Sequence, residues 1–206
     1  MKQKLTVKVM AEIGIFAALG FALDALQGGI FKGVFPNGGS IGIAMIPIFI
    51  IAYRRGLVPG LICGLILSLI QMLSGIYVIN GASFDNDFLR VCGPLIQVML
   101  DYVLAYTVVG FAGAFSKKYQ QSEGFKGKLT FVLVGTIIGG ALKFLCHFLA
   151  GGFFWPGEMW GVTGWGYSAI YNGLYCLPNI VICTGLMVLL AKFYPQFLSP
   201  DEKEEE

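Results

Sequence analysis

Six apolar stretches, each close to the length that crosses a bilayer, follow one another along this 206-residue chain and leave no room for a separate soluble domain. A hydrocarbon core about 30 Å thick takes roughly 20 helical residues. The stretches fall at about 8–27, 40–54, 57–75, 93–115, 129–151 and 167–193, which predicts a single membrane domain over 1–206, an all-α bundle of six transmembrane helices. The second is short and holds Pro47, so a tilted or broken segment is expected there. Charged residues make up only 13% of the chain, about half the share of an ordinary soluble domain. The start of the chain is basic and then apolar, but it lacks a convincing small-residue cleavage site, so the first helix is expected to be retained.

Basic residues orient the bundle. Lys2, Lys4 and Lys8 precede the first helix, Arg54 and Arg55 lie between the second and third, and Lys117, Lys118, Lys126 and Lys128 lie between the fourth and fifth. Lys192 and Lys203 follow the sixth, while the opposite loops hold only Lys32 and Arg90. The positive-inside rule therefore places both termini in the cytoplasm. The acidic end, 199–206, reads as a solvated cytoplasmic tail. A net charge of +2 without a basic patch argues against a nucleic-acid partner. Cys63, Cys92, Cys146, Cys176 and Cys183 show no metal-ligand spacing, and four of them lie in apolar segments as small core residues.

The two sides differ in chemistry. Cytoplasmic connections are ordinary polar turns, whereas the outer ones are long and rich in Gly and aromatics: GGIFKGVFPNGGS, SGIYVINGASFDNDF and GGFFWPGEMWGVTGWGYS. Interfacial anchoring by Trp and Tyr accounts for part of this. Three tryptophans within eleven residues, among so many glycines, point to a binding surface at the outer face.

Ionisable residues within the spans each need a partner or a task. Glu12 lies four residues from Lys8, the spacing of a helical ion pair. Asp24, near the outer end of helix one and within reach of Lys32, receives no role. With helix four starting near Pro94, Asp101 lies about 10 Å in, and His147 lies about 6 Å from the outer end of helix five. Lys143 is one turn further in on the His147 face. Two readings stand: an Asp101–Lys143 ion pair tying helices four and five, or a polar pocket. Tyr102, Trp155, Trp160, Trp165, Tyr167, Tyr171 and Asn172 fall around the same level. Aromatic faces beside a carboxylate suit a small, planar, cationic solute, and Asn172 suits the edge of a heteroaromatic ring. No HExxH, GxSxG, paired-carboxylate or phosphate-loop motif is present, so neither catalysis nor ATP hydrolysis is expected, and no cofactor or metal. Energy for uphill transport must then come from a partner.

The stretches LKFLCHFLAGGFFW (142–155) and GWGYSAIYNG (164–173) closely resemble the thiamine-specific membrane substrate-binding (S) component of energy-coupling-factor vitamin transporters. EIGIFAALGFAL, FPNGGSI, MIPIFIIAYRRG and LDYVLAY resemble it in the same order, so the likeness covers most of the chain. It implies a six-helix S component in a bacterial plasma membrane that captures thiamine outside the cell and docks on a transmembrane coupling protein driven by two cytoplasmic ATPases. It places substrate contacts at Asp101, Tyr102, His147, Trp155, Tyr167 and Asn172, with Tyr77 as a further aromatic and Phe35 as the nearest match to a first-loop lid residue. Where relatives carry Glu, this chain has the shorter Asp101. The resemblance also gives Gly14, Ala18 and Ala22, small residues repeating every four positions, the part of a docking face; internal packing within the bundle is the alternative. An S component for riboflavin or a thiamine precursor, and a self-sufficient proton-coupled transporter using Asp101, Lys143 and His147, are the competing functions.

Overall fold

The computed structural model describes residues 5–200; Lys2, Lys4, Lys203 and the acidic tail from 201 onward lie outside the described residues. Among the described residues six helices build the bundle: α1 Val7–Ile30, α2 Ile46–Arg55, α3 Leu57–Leu73, α4 Asp87–Gln121, α5 Gly124–Phe154 and α6 Gly164–Phe193. Of these, α1, α4, α5 and α6 are each long and apolar enough to cross a membrane alone.

The second segment departs most from expectation. The helix α2 starts only at Ile46 and has ten residues, about 15 Å of rise, or half of a hydrocarbon core. Residues 39–45 ahead of it carry no regular structure, although Ala44 and Met45 are buried. Non-helical backbone at membrane depth needs polar partners within the protein. Gln27 and Asn179 provide them: Ala44 N–H donates to Gln27 Oε1 (3.2 Å), Gly42 N–H donates to Asn179 Oδ1 (2.6 Å), and Asn179 Nδ2 donates to the Ser40 carbonyl (2.9 Å). The chain then enters α2, which is enclosed by protein from Pro47 to Tyr53.

Small residues set the packing between α3 and α4. A Cβ on Gly110 or Gly113 would run into the backbone of Gly60–Leu61 or Gly56–Leu57, and one on Gly64 would meet the Tyr106 carbonyl. Close approach of backbones through glycine is how helices associate where lipid removes the hydrophobic contrast. Gly110→Val is therefore expected to cost about 1–3 kcal/mol by overpacking, read as a lower melting temperature of the detergent-solubilised protein. An unchanged melting temperature would contradict this packing. Helices α5 and α6 are antiparallel: Gly140 faces Ile180 and Gly151 faces Ser168. They are joined by a two-stranded hairpin, β1 Glu158–Met159 and β2 Val162–Thr163, whose turn residues Trp160 and Gly161 both have positive φ.

At the cytoplasmic end Glu12 is gripped by Arg55 through two hydrogen bonds of 2.6 and 2.7 Å, with Arg54 3.4 Å away. The i,i+4 spacing to Lys8 gave no hint of this tie between α1 and α2. Arg54 also donates to the carbonyls of Gln196 and Ser199, which fixes the end of α6 against the α2–α3 corner.

Along α1 the buried positions are Val9, Ile13, Ala17, Gly20 and Gln27. Gly14, Ala18 and Ala22 lie on the exposed side, and a Cβ at Gly14 would meet nothing within 4 Å. The small-residue stripe therefore faces outward, and internal packing does not account for it.

Candidate functional site

Helix α4 begins at Asp87, ahead of the expected start near Pro94, because Asn86 caps it: the Asn86 side chain accepts from Leu89 N–H (3.1 Å). Pro94 lies inside the helix, not at its first turn. Five residues beyond it α4 widens into a π turn over Met99–Leu104, a feature that often marks functional positions, and this turn carries Asp101 and Tyr102.

Asp101 accepts from Gln97 Nε2 (2.9 Å) and Trp155 Nε1 (2.8 Å), both at Oδ2, while Oδ1 lies 3.4 Å from His147 Nδ1. Three side chains, from α4, α5 and the residue that ends α5, thus converge on one carboxylate. The expected meeting of Asp101 and His147 is formed. An Asp101–Lys143 ion pair is not: Lys143 makes no ion pair within 4.0 Å among the described residues, and its ammonium sits 3.2 Å from the Tyr106 ring centroid. Lys143 points to a level below Asp101, where the aromatic face of α4 is nearer than its carboxylate.

A cavity of about 490 Å³ opens beside Asp101, within the ~300–1,000 Å³ usual for small-molecule sites. Asp101, Tyr102, Tyr77, His147, Trp155, Tyr167 and Asn172 all line it. Tyr77 reaches it because its backbone N–H donates to Tyr102 Oη (2.9 Å), which sets its ring 5.2 Å from that of Trp155. Asn172 is buried, and its amide is already engaged: Nδ2 donates to Ser168 and to the His147 carbonyl, and Oδ1 accepts from Tyr175 Oη (2.6 Å). Its place in the wall is fixed by these bonds, and the carbonyl oxygen keeps one lone pair for a ligand.

The sequence reading missed several wall residues. Asn37, in the first outer loop, donates from its backbone to Tyr171 Oη (2.8 Å) and from its side chain to Tyr167 Oη (2.9 Å), and Tyr171 Oη donates on to the Gly38 carbonyl (2.9 Å). Gly38 and Gly39 have φ of +87° and +112°, and a Cβ on Gly39 would meet the Tyr175 ring at 2.7 Å. The FPNGGS motif carried that turn signal but nothing that named its partners. Gln97, buried completely one turn ahead of Asp101 on α4 and holding its carboxylate, gave no signal beyond its polarity in an apolar run. Phe35 packs edge-on against Tyr175 (5.4 Å) and Tyr171 (6.2 Å) and lines a second cavity, not the first.

That second cavity, about 360 Å³, shares Asp101, Tyr102, His147, Gly38 and Gly39 with the first and continues toward Asp24, Gln71, Tyr106 and Lys143. The tryptophans separate in role. Of the three, Trp155 lines the first of these two cavities and the others line neither; Trp165 packs against Phe148 and Phe153, and Trp160 is 77% exposed at the hairpin tip.

Comparison with known proteins gives a consistent result. The family described as thiamine transporter protein (Thia_YuaJ) matches residues 10–199. The thiamine transporter ThiT of Bacillus subtilis (strain 168) is 32% identical over 206 residues, covering 98% of this chain and all of the relative. ThiT of Lacticaseibacillus paracasei is also 32% identical, over 98% of this chain and 96% of its own length. The solved structure of ThiT from Listeria monocytogenes superposes with a TM-score of 0.72 at 25% identity, covering 94% of this chain and 98% of that one.

Proposed function

This chain belongs to the thiamine transporter family, and on that premise we propose that the cavity beside Asp101 is where it captures thiamine at the outer face of the bacterial cell membrane. Thiamine transport is the function of the chain.

The observation that carries the residue assignment is the state of Asp101. Its side chain is only 16% exposed, and its partners within hydrogen-bond reach are Gln97, Trp155 and His147. No Lys or Arg lies within ion-pair distance among the described residues. A carboxylate in the outer half of a membrane protein, supported mainly by neutral donors, calls for a cation. Thiamine brings a thiazolium charge and an aminopyrimidine ring with donors and acceptors on its edge. Asp101 neutralises the charge, Trp155, Tyr77 and His147 supply ring faces, and Tyr102, Tyr167 and Asn172 complete the polar wall. Riboflavin, uncharged in its ring system, makes no such use of Asp101.

Transport against a gradient needs energy this chain has no motif to extract from ATP. In our reading the chain is the S component of an energy-coupling-factor importer, working with a transmembrane coupling protein and two cytoplasmic ATPases. Gly14, Ala18 and Ala22 form its docking stripe, consistent with their outward placement on α1. Ala18→Trp is expected to abolish most thiamine uptake in cells that hold the coupling proteins while leaving thiamine affinity of the purified protein within about threefold. Loss of both together would reject the docking assignment. Thiamine accumulation by liposomes containing this chain alone would favour the proton-coupled alternative.

A further inference from the structure

We propose that Gln27 is a positioning residue that clamps the first outer loop over the binding cavity and thereby sets how long a captured ligand stays. The ligand's identity rests on the proposed function; the clamp itself does not.

The loop between α1 and α2 forms wall in both cavities through Gly38 and Gly39. It is held on two sides. Toward α6, Asn37 and Gly38 bond to Tyr167 and Tyr171, and Ser40 and Gly42 bond to Asn179. Tyr167 and Tyr171 line the ligand cavity, so an arriving ligand competes for the same hydroxyls. Toward α1 the tether is Gln27. Its Nε2 donates to Ser40 Oγ (3.0 Å), and its Oε1 accepts from Ala44 N–H (3.2 Å). Gln27 is 7% exposed, and its side chain fills the space a Cβ on Gly42 would need.

Asp24, left without a role by the sequence, decides which way the Gln27 amide faces. A carboxylate only accepts, so the Gln27 Nε2 contact at 3.2 Å leaves Oε1 turned to Ala44. Asp24 is itself fixed by Gln71 Nε2 (2.7 Å) from α3 and by the Tyr106 hydroxyl from α4. The chain of contacts runs from two core helices, through one carboxylate and one amide, to the loop over the cavity. That carboxylate and amide both belong to α1, the helix whose outer side carries the small-residue stripe, so a displacement of α1 would reach the loop through Gln27.

Hydrogen exchange of the purified, ligand-free protein tests the clamp. Gln27→Leu keeps side-chain bulk and removes both bonds. Amides of residues 36–44 are expected to exchange at least tenfold faster, with α5 and α6 unchanged. Ser40→Ala leaves α1 intact and removes one of the two bonds; it is expected to give about a threefold increase in the same segment. In stopped flow with thiamine, Gln27→Leu is expected to raise the dissociation rate about 10- to 100-fold, with the association rate within threefold. Adding Ser40→Ala to Gln27→Leu should change little further, because both act through one contact. Unchanged exchange over 36–44 in both variants would overturn the proposal, as would acceleration spread evenly over all helices. If the wild type gave no thiamine response while Gln27→Leu still loosened 36–44, the thiamine assignment would fall and the clamp would stand.

Discussion

Asp101→Asn is expected to weaken thiamine binding by about 2–4 kcal/mol, or roughly 30- to 1,000-fold in dissociation constant. The substitution keeps the shape of the side chain and an oxygen to accept from Trp155 and Gln97, so the wall should survive. What is lost is the charge, in a place where little water screens it. A charge-assisted contact in such surroundings contributes about twice what a neutral one does, and a buried cation left without its counter-ion adds a further penalty. The measurement is isothermal calorimetry on the purified variant, with a melting curve beside it. Unchanged affinity would remove Asp101 from the site, whatever its position in the cavity.

Trp155→Ala is expected to cost about 2–3 kcal/mol by two routes. It deletes a ring face that packs 5.2 Å from Tyr77 in the cavity wall, and it removes the N–H that orients Asp101. Trp155→Phe separates them, since it keeps a face and loses the donor; about half the penalty should remain. Because the fluorophore is altered, calorimetry or radiolabelled thiamine is the measurement to use. Equal affinity for wild type and Trp155→Ala would show that the ligand does not rest on the Trp155 ring.

Much of this site was legible in the sequence because polar residues are costly inside a bilayer and therefore stand out. Asp101 and His147 stand out on that ground, Trp155 and Asn172 only as neighbours at the same level, and the depth argument places Asp101 and His147 together even though α4 starts earlier than Pro94 suggests. What was not legible has a physical reason. In lipid the outer face of a helix is as apolar as its core face, so hydropathy did not tell which side of α1 carries Ile13 and which carries Ile15; one is fully buried and the other 66% exposed. Nor did hydropathy reveal that the second apolar stretch is partly non-helical, since Ile, Ala and Met serve a buried coil as well as a helix. The residues that make that coil tolerable, Gln27 and Asn179, lie 17 and 137 positions from the backbone they serve. Such contacts follow from the packed fold and leave no local pattern. Lys143 shows the same limit: spacing put it on the His147 face, but only the packing of Tyr106 beneath it decided against a pair with Asp101.

Tryptophan fluorescence of the purified protein, titrated with thiamine and separately with riboflavin, tests the central claim most directly. Trp155 lines the cavity, whereas Trp160 and Trp165 stand outside it. Thiamine is expected to give a saturable one-site quench that is largely lost in Trp155→Phe, with riboflavin giving no saturable response. No response to thiamine, or a response undiminished in Trp155→Phe, would contradict a thiamine site beside Asp101.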